Sequence, residues 1–194
     1  MTKEPVLVLA SGSPRRKELL SLTGLPFIID APDVDEHTDL GAGEAVLELS
    51  RRKALAAAAK HPGMAVLGSD TLVAIENRPL GKPADEEDAF RMLRMLSGRE
   101  HQVYTGVTVV SADGQVFSGV DASDVRFREM TDREIRAYIA TGEPLDKAGA
   151  YALQGIASLW IERVSGTPSG VIGLPMPLTA ELLARAGLQV LPSL

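Results

Sequence analysis

The sequence predicts an α/β protein with a central mixed β-sheet and flanking helices. Three observations carry this expectation. The short apolar run at 6–9 reads as a buried strand, 27–31 as a second short strand, and 65–71 as an apolar strand that ends in a small polar turn. Helical stretches separate them, and a strand–helix–strand–helix order implies parallel neighbours. Farther on, 103–110 and 115–127 flank Ser111-Ala112-Asp113-Gly114, where Asp-Gly marks a hairpin and hence antiparallel strands.

Taken in order, the first strand runs into Ala10-Ser11-Gly12-Ser13, a turn of small residues, and Pro14 is placed to open a helix. Leu19, Leu20 and Leu22 give that helix a buried stripe, and Gly24 ends it. Free N–H groups at such a helix start welcome an anion. Arg15 and Arg16 sit in the first turn against the helix dipole, which suggests a polyanion; the alternative is an ordinary turn with two solvated arginines. Residues 44–60 are helical by composition, with Gly63 beyond the end. Val46, Leu49, Lys53 and Ala57 share one face there, so Lys53 either snorkels to water or reaches a ligand. The strand at 65–71 is expected to break at Gly68-Ser69-Asp70-Thr71 and resume over 72–75. Asp70 at that strand end either serves chemistry or organises a turn.

Gly81-Lys82-Pro83 presents Lys82 from a loop, and lacks the earlier glycine of a Walker loop. Residues 85–96 form an amphipathic helix closed by Gly98. Thr131 and Glu134 form a capping-box pair for a helix over 132–140. A loop leads through Tyr151–Gly155, 156–164 is expected as a strand, 165–175 as a Gly/Pro-rich loop, and 178–186 as a closing helix.

The 194 residues suit one domain, or two closely joined lobes. A net charge of −6 argues against nucleic-acid or anionic-membrane partners. The absence of cysteine excludes disulfides and thiolate metal sites and fits a cytoplasmic setting. No apolar run approaches the ~18 residues of a membrane span, so a soluble protein is expected. Acidic residues crowd 30–39 (Asp30, Asp33, Asp35, Glu36, Asp39), while Arg15, Arg16, Lys53, Lys82 and Lys147 lie near the expected turns. A basic pocket within an acidic chain suits a small polyanion. There is no G-x-S-x-G elbow and no G-x-G-x-x-G, and His37, His61 and His101 are isolated, each expected at the surface or in a loop.

Six separated segments carry a resemblance. SGSPRR at 11–16, GSDT at 68–71, GKP at 81–83, SGREHQVYTG at 97–106, DKAGAYALQG at 146–155 and VIGLP at 171–175 resemble, in order, the motifs of the Maf family of nucleotide pyrophosphatases. They cover almost the whole chain. The resemblance implies cleavage of a nucleoside triphosphate between its α- and β-phosphates. It also implies a single elongated α/β unit over 1–194 with a central cleft, similar to the inosine-triphosphate pyrophosphatases. A homodimer is a family-level expectation, as is a divalent cation, magnesium or manganese. In this framework Ser11, Ser13, Arg16, Lys53 and Lys82 would hold phosphate oxygens, and Asp70 would be the general base or help hold metal, with Glu36 a second metal ligand. Asp146 and Lys147 are further candidates without an assigned role.

Arg15, Thr71 and Gln154 match the set of the dTTP/UTP subgroup, whereas relatives acting on 7-methyl-GTP would carry Trp, Gln and Glu. A Gln154 amide can pair with uracil O4 and N3–H together, and an arginine facing O4 would reject the amino group of cytosine. The family commonly has Glu-Lys-Ala on the second helix, but this chain has Arg52-Lys53-Ala54, and Arg52 is placed to pair with Glu48. The expected activity is therefore hydrolysis of dTTP and UTP, with modified pyrimidine nucleotides left open as further substrates. The rivals are the same reaction on another base, and a nucleotide-binding regulator of division with little catalysis.

Overall fold

Every strand of the computed structural model, which describes residues 4–190, belongs to one mixed sheet. The elements in order are β1 (Leu7–Leu9), α1 (Pro14–Ser21), β2 (Phe27–Ile29), α2 (Ala42–Ala58), β3 (Ala65–Ile75), β4 (Arg78–Leu80), α3 (Glu86–Leu96), β5 (Glu100–Val110), β6 (Val116–Phe127), α4 (Asp132–Ile139), β7 (Ile161–Ser165), α5 (Pro168–Ile172) and α6 (Met176–Arg185). Short 3-10 turns at Glu143–Asp146, Ala148–Ala150 and Ile156–Leu159 shape the segment before β7. The strand order is β2-β1-β3-β5-β6-β7, with β4 paired to β3. β1 runs parallel to both β2 and β3, and the remaining pairs are antiparallel. The expected mixed sheet with flanking helices is what forms.

Several elements are local. Ser13 caps α1 and Pro14 opens it, and Thr131 and Glu134 close a reciprocal capping box on α4. The β5–β6 hairpin turns at Ser111–Gln115, with Gly114 at a positive φ of 88°.

Others differ from the sequence expectation. β3 does not break: Asp70 and Thr71 sit in mid-strand, opposite Gly106 and Thr105 of β5. Cross-strand pairing along its whole length outweighs the turn preference of Gly-Ser-Asp. Glu76 and Asn77 then reverse the chain at φ of 50° and 61°, giving the unanticipated β4 hairpin. The expected loop at 165–175 contains α5, and the expected strand at 156–164 is a 3-10 turn followed by β7. His101 is fully buried on β5, between Phe127 and Tyr151, rather than at the surface.

The register of β3 opens the site. On the edge facing β1, pairing covers only 65–67; β4 takes over at 73–75. Residues 68–72 therefore pass a gap where β1 has ended and the Ser11–Ser13 turn departs. Period-two alternation places Gly68 and Asp70 toward α2, while Ser69 and Thr71 face α1 and α5. Core clusters back both faces, with Val66, Ala54 and Ala57 on the α2 side and Leu67, Leu20, Val107 and Leu182 on the other.

Candidate active site

The gap along β3 is the floor of a cleft of about 810 Å³, lined by the turn 11–16, Glu36, Lys53, Asp70, Thr71, Lys82 and the loop carrying Gln154. The α2 helix reaches this floor because two glycines let its backbone touch the sheet. A Cβ on Gly68 would run into the Ser50 carbonyl and lie 2.7 Å from Ala54 N. One on Gly106 would run into the Val46 carbonyl and lie 2.8 Å from Leu47 N. With the backbone this close, Lys53 points into the cleft instead of snorkelling to water. Its Nζ donates to Asp70 Oδ1 at 2.6 Å and pairs with Glu36 Oε1 at 2.7 Å. Glu36 titrates below the ordinary carboxylate value, first through the Lys53 hydrogen bond and further through the charges of Lys53, Lys82 and Arg16; burial opposes the shift.

Arg16 has a different environment from the one expected of a free phosphate ligand. Its Nε donates to the Gly173 carbonyl at 2.8 Å, and its two terminal nitrogens donate to Ser11 Oγ at 3.1 Å and Thr71 Oγ1 at 3.0 Å. Thr71 Oγ1 is 2.9 Å from Thr105 Oγ1, which donates to the Gly170 carbonyl. The guanidinium fork thus ties the first turn to β3 and to the α5 region, 157 positions away in the chain. Burial lowers its pKa, and the Asp70 charge pushes the other way.

A family model described as Maf-like protein matches residues 6–186. The chain belongs to the Maf family. A dTTP/UTP pyrophosphatase of Symbiobacterium thermophilum is 46% identical over 93% of this chain and 94% of that protein. Proteins of the same name from Geobacillus sp. (48% identity, 93% and 98% coverage) and Anaeromyxobacter dehalogenans (49% identity, 94% and 95% coverage) are similar over comparable spans. Among solved structures, the Staphylococcus aureus Ham1 protein matches at TM-score 0.46 and 15% identity, over 62% of this chain and 71% of that one. A dITP/XTP pyrophosphatase of Mycobacterium abscessus matches at TM-score 0.41 and 17% identity, over 64% and 74%.

Within this Maf chain all the sequence-selected residues line one cleft: Ser11, Ser13, Arg15, Arg16, Glu36, Lys53, Asp70, Thr71, Lys82 and Gln154. Lys82 is exposed on its loop, as is Gln154. Asp146 and Lys147 also line the cleft, but the Lys147 ammonium is held by Asp146 and by the Glu143 carbonyl at 2.8 Å.

Sequence reasoning missed three contributors. Gly173 lies in the VIGLP motif, yet its carbonyl, which receives both Arg16 Nε and Ser69 Oγ, leaves no mark in residue type. Arg52 was read as a surface partner of Glu48, and it also reaches the acidic loop. Glu143 shapes the Gln154 loop by accepting from Ile156 N at 3.0 Å and Tyr138 Oη at 2.7 Å.

Among the described residues no group of three or more His, Asp or Glu side chains could hold a metal by itself. Glu36 and Asp70 do converge, because both reach the same lysine nitrogen. Magnesium is typically held by one or two carboxylates with waters and substrate phosphates, so this pair fits an ion that arrives with a triphosphate.

Proposed function

We propose that this Maf protein hydrolyses dTTP and UTP to the monophosphate and pyrophosphate. The observation that carries the reading is the cleft in which Lys53 holds Asp70 and Glu36 beside the Ser11–Ser13 turn. The names of the similar proteins supply the pyrimidine substrates.

The residues divide the work. The turn's N–H groups and the hydroxyls of Ser11 and Ser13 receive phosphate oxygens at the start of α1, with Arg16 fixing the turn rather than leaving it. Lys82, from its exposed loop, adds a positive charge at the cleft rim. An incoming triphosphate competes for Lys53 and draws the ammonium from the carboxylates onto phosphate oxygens. Asp70, relieved of its cation, takes a proton from the attacking water. The water oxygen bonds to the α-phosphorus; the bond from that phosphorus to the α–β bridging oxygen breaks, and pyrophosphate leaves with that electron pair. A magnesium or manganese ion on Glu36 and Asp70 would neutralise phosphate charge. Arg15 and Gln154 face the base across the cleft mouth. This chemistry belongs with the nucleotide pool of the cytoplasm.

A panel of nucleoside triphosphates with magnesium or manganese tests the reading, scored for monophosphate and pyrophosphate. UTP and dTTP are expected to lead. Orthophosphate with diphosphate would overturn the cleavage position, and tight binding without turnover would favour the regulator.

A further inference from the structure

The loop joining β2 to α2 carries Glu36 and has no regular structure over residues 31–40. Its own hydrogen bonds are short-range: His37 N to Asp35 Oδ1 and Leu40 N to Thr38 Oγ1. Two consecutive residues of α2 hold it to the body of the protein. Lys53 takes the Glu36 carboxylate. Arg52 takes the backbone: Nη1 donates to the carbonyls of Asp35 at 3.0 Å and His37 at 3.1 Å, the residues on either side of Glu36. Glu48, one turn earlier, aims the guanidinium by accepting from Nε at 2.9 Å.

These two grips respond differently to substrate. The Lys53 grip is lost when a triphosphate draws the ammonium away. Arg52 does not line the cleft, and its guanidinium is held by the Glu48 carboxylate as well as by the two main-chain carbonyls, so a triphosphate bound in the cleft does not draw it away. We propose that Arg52 is a positioning residue that keeps Glu36 at the cleft while its carboxylate exchanges Lys53 for the metal-bound triphosphate. This rests on the hydrolase reading above. Arg52 acts through backbone that Glu36 shares, so it needs no contact with substrate.

Two measurements test it. In protein free of nucleotide and metal, Arg52→Gln is expected to speed amide hydrogen exchange over 33–40 at least fivefold. Arg51→Gln removes the same charge from an exposed neighbour and is expected to match the parent. With UTP and magnesium, Arg52→Gln is expected to lower kcat/KM roughly tenfold and to raise the magnesium concentration for half-activation, as lost charged hydrogen bonds of this kind do. In a Glu36→Gln background the same change should cost less than twofold further, because the residue through which it acts is already disabled. Additive losses in that cycle, or exchange equal to the parent's, would overturn the inference. A parent that releases no pyrophosphate would overturn the hydrolase reading instead, and the exchange comparison would still decide whether Arg52 holds the loop.

Discussion

Lys53 Nζ lies 2.6 Å from Asp70 Oδ1, and only 13% and 12% of the two side chains are exposed. An ion pair this enclosed is costly to leave half-made. On the mechanism proposed above, it also keeps Asp70 occupied until a competitor for the lysine arrives.

Removing either partner therefore has unequal consequences. Asp70→Asn leaves Lys53 still paired with Glu36, so the protein should stay folded and bind triphosphate at least as well as the parent. Turnover should fall roughly a hundredfold or more with loss of the base. Lys53→Met leaves Asp70 and Glu36 facing each other without a cation and should destabilise more than Asp70→Asn in chemical denaturation. Near-normal turnover of folded Asp70→Asn would place the base elsewhere.

The pair depends on helix-to-sheet contact at Gly68. A methyl there meets the main chain of Ser50 and Ala54, and neither can rotate aside as a side chain would. Gly68→Ala should cost about 1–3 kcal/mol of stability. Because Lys53 adjoins Ala54, it should also lower kcat/KM for UTP. Gly41→Ala, at the N-cap of the same helix with nothing within 4 Å of the added carbon, is the control expected to lose less, about 0.5–1 kcal/mol of N-cap preference, with no effect on the helix-to-sheet contact. Equal melting of the two variants would refute the contact's importance.

Much of this was legible where the determinant is local. Pro14 after a Ser-Gly-Ser turn, the Thr131–Glu134 box and the Asp-Gly hairpin each specify geometry within a few residues. Long-range pairing was not legible. Nothing in Gly68-Ser69-Asp70-Thr71 says that nine residues of β5 pair across 66–74 and keep the strand straight. The same limit hid the commitment of Arg16. Its partners Thr71 and Gly173 are 55 and 157 positions distant, and residue type alone does not reveal hydrogen bonds over such separations. The surface or loop placement expected of His101 fails because an isolated histidine gives no hint that Phe127 and Tyr151 close over it.

That burial has a pH consequence. Desolvation pushes His101 down to about 4, with Asp124 pulling weakly the other way. Its Nε2 is 2.8 Å from Tyr151 Oη, and Nδ1 has no hydrogen-bond partner among the described residues. In the unfolded chain the imidazole takes a proton below pH ~6.5, whereas the native state refuses it until about 4. Between those values the unfolded state binds more protons, so stability should drop as pH falls, by up to about 3 kcal/mol at the lower end. His101→Gln should be less stable at pH 7 but flatter between pH 6.5 and 4. Parallel curves of stability against pH for the two proteins would show that His101 is not the group responsible.

Base choice is the last prediction, and the structure divides the three residues that the sequence grouped together. All three line the cleft, but Thr71 Oγ1 is held by Arg16 and Thr105. Copying the 7-methyl-GTP pattern through all three positions would therefore also disturb the Arg16 brace. The double variant Arg15→Trp/Gln154→Glu avoids that. Its indole can stack on the cationic methylguanine, and its carboxylate can accept from guanine N1–H and the N2 amino group. Against uracil the same carboxylate faces O4 without a proton to share. An unpaired contact of this kind costs ~1–3 kcal/mol, so kcat/KM for UTP should fall roughly five- to a hundredfold relative to 7-methyl-GTP. Adding Thr71→Gln should lower the absolute rate on both substrates while leaving their ratio nearly where the double variant put it. The measurement is that ratio in parent, double and triple variants. A ratio unchanged in the folded, active double variant would mean that Arg15 and Gln154 do not read the base, and a ratio that moves only with Thr71 would assign the reading to β3.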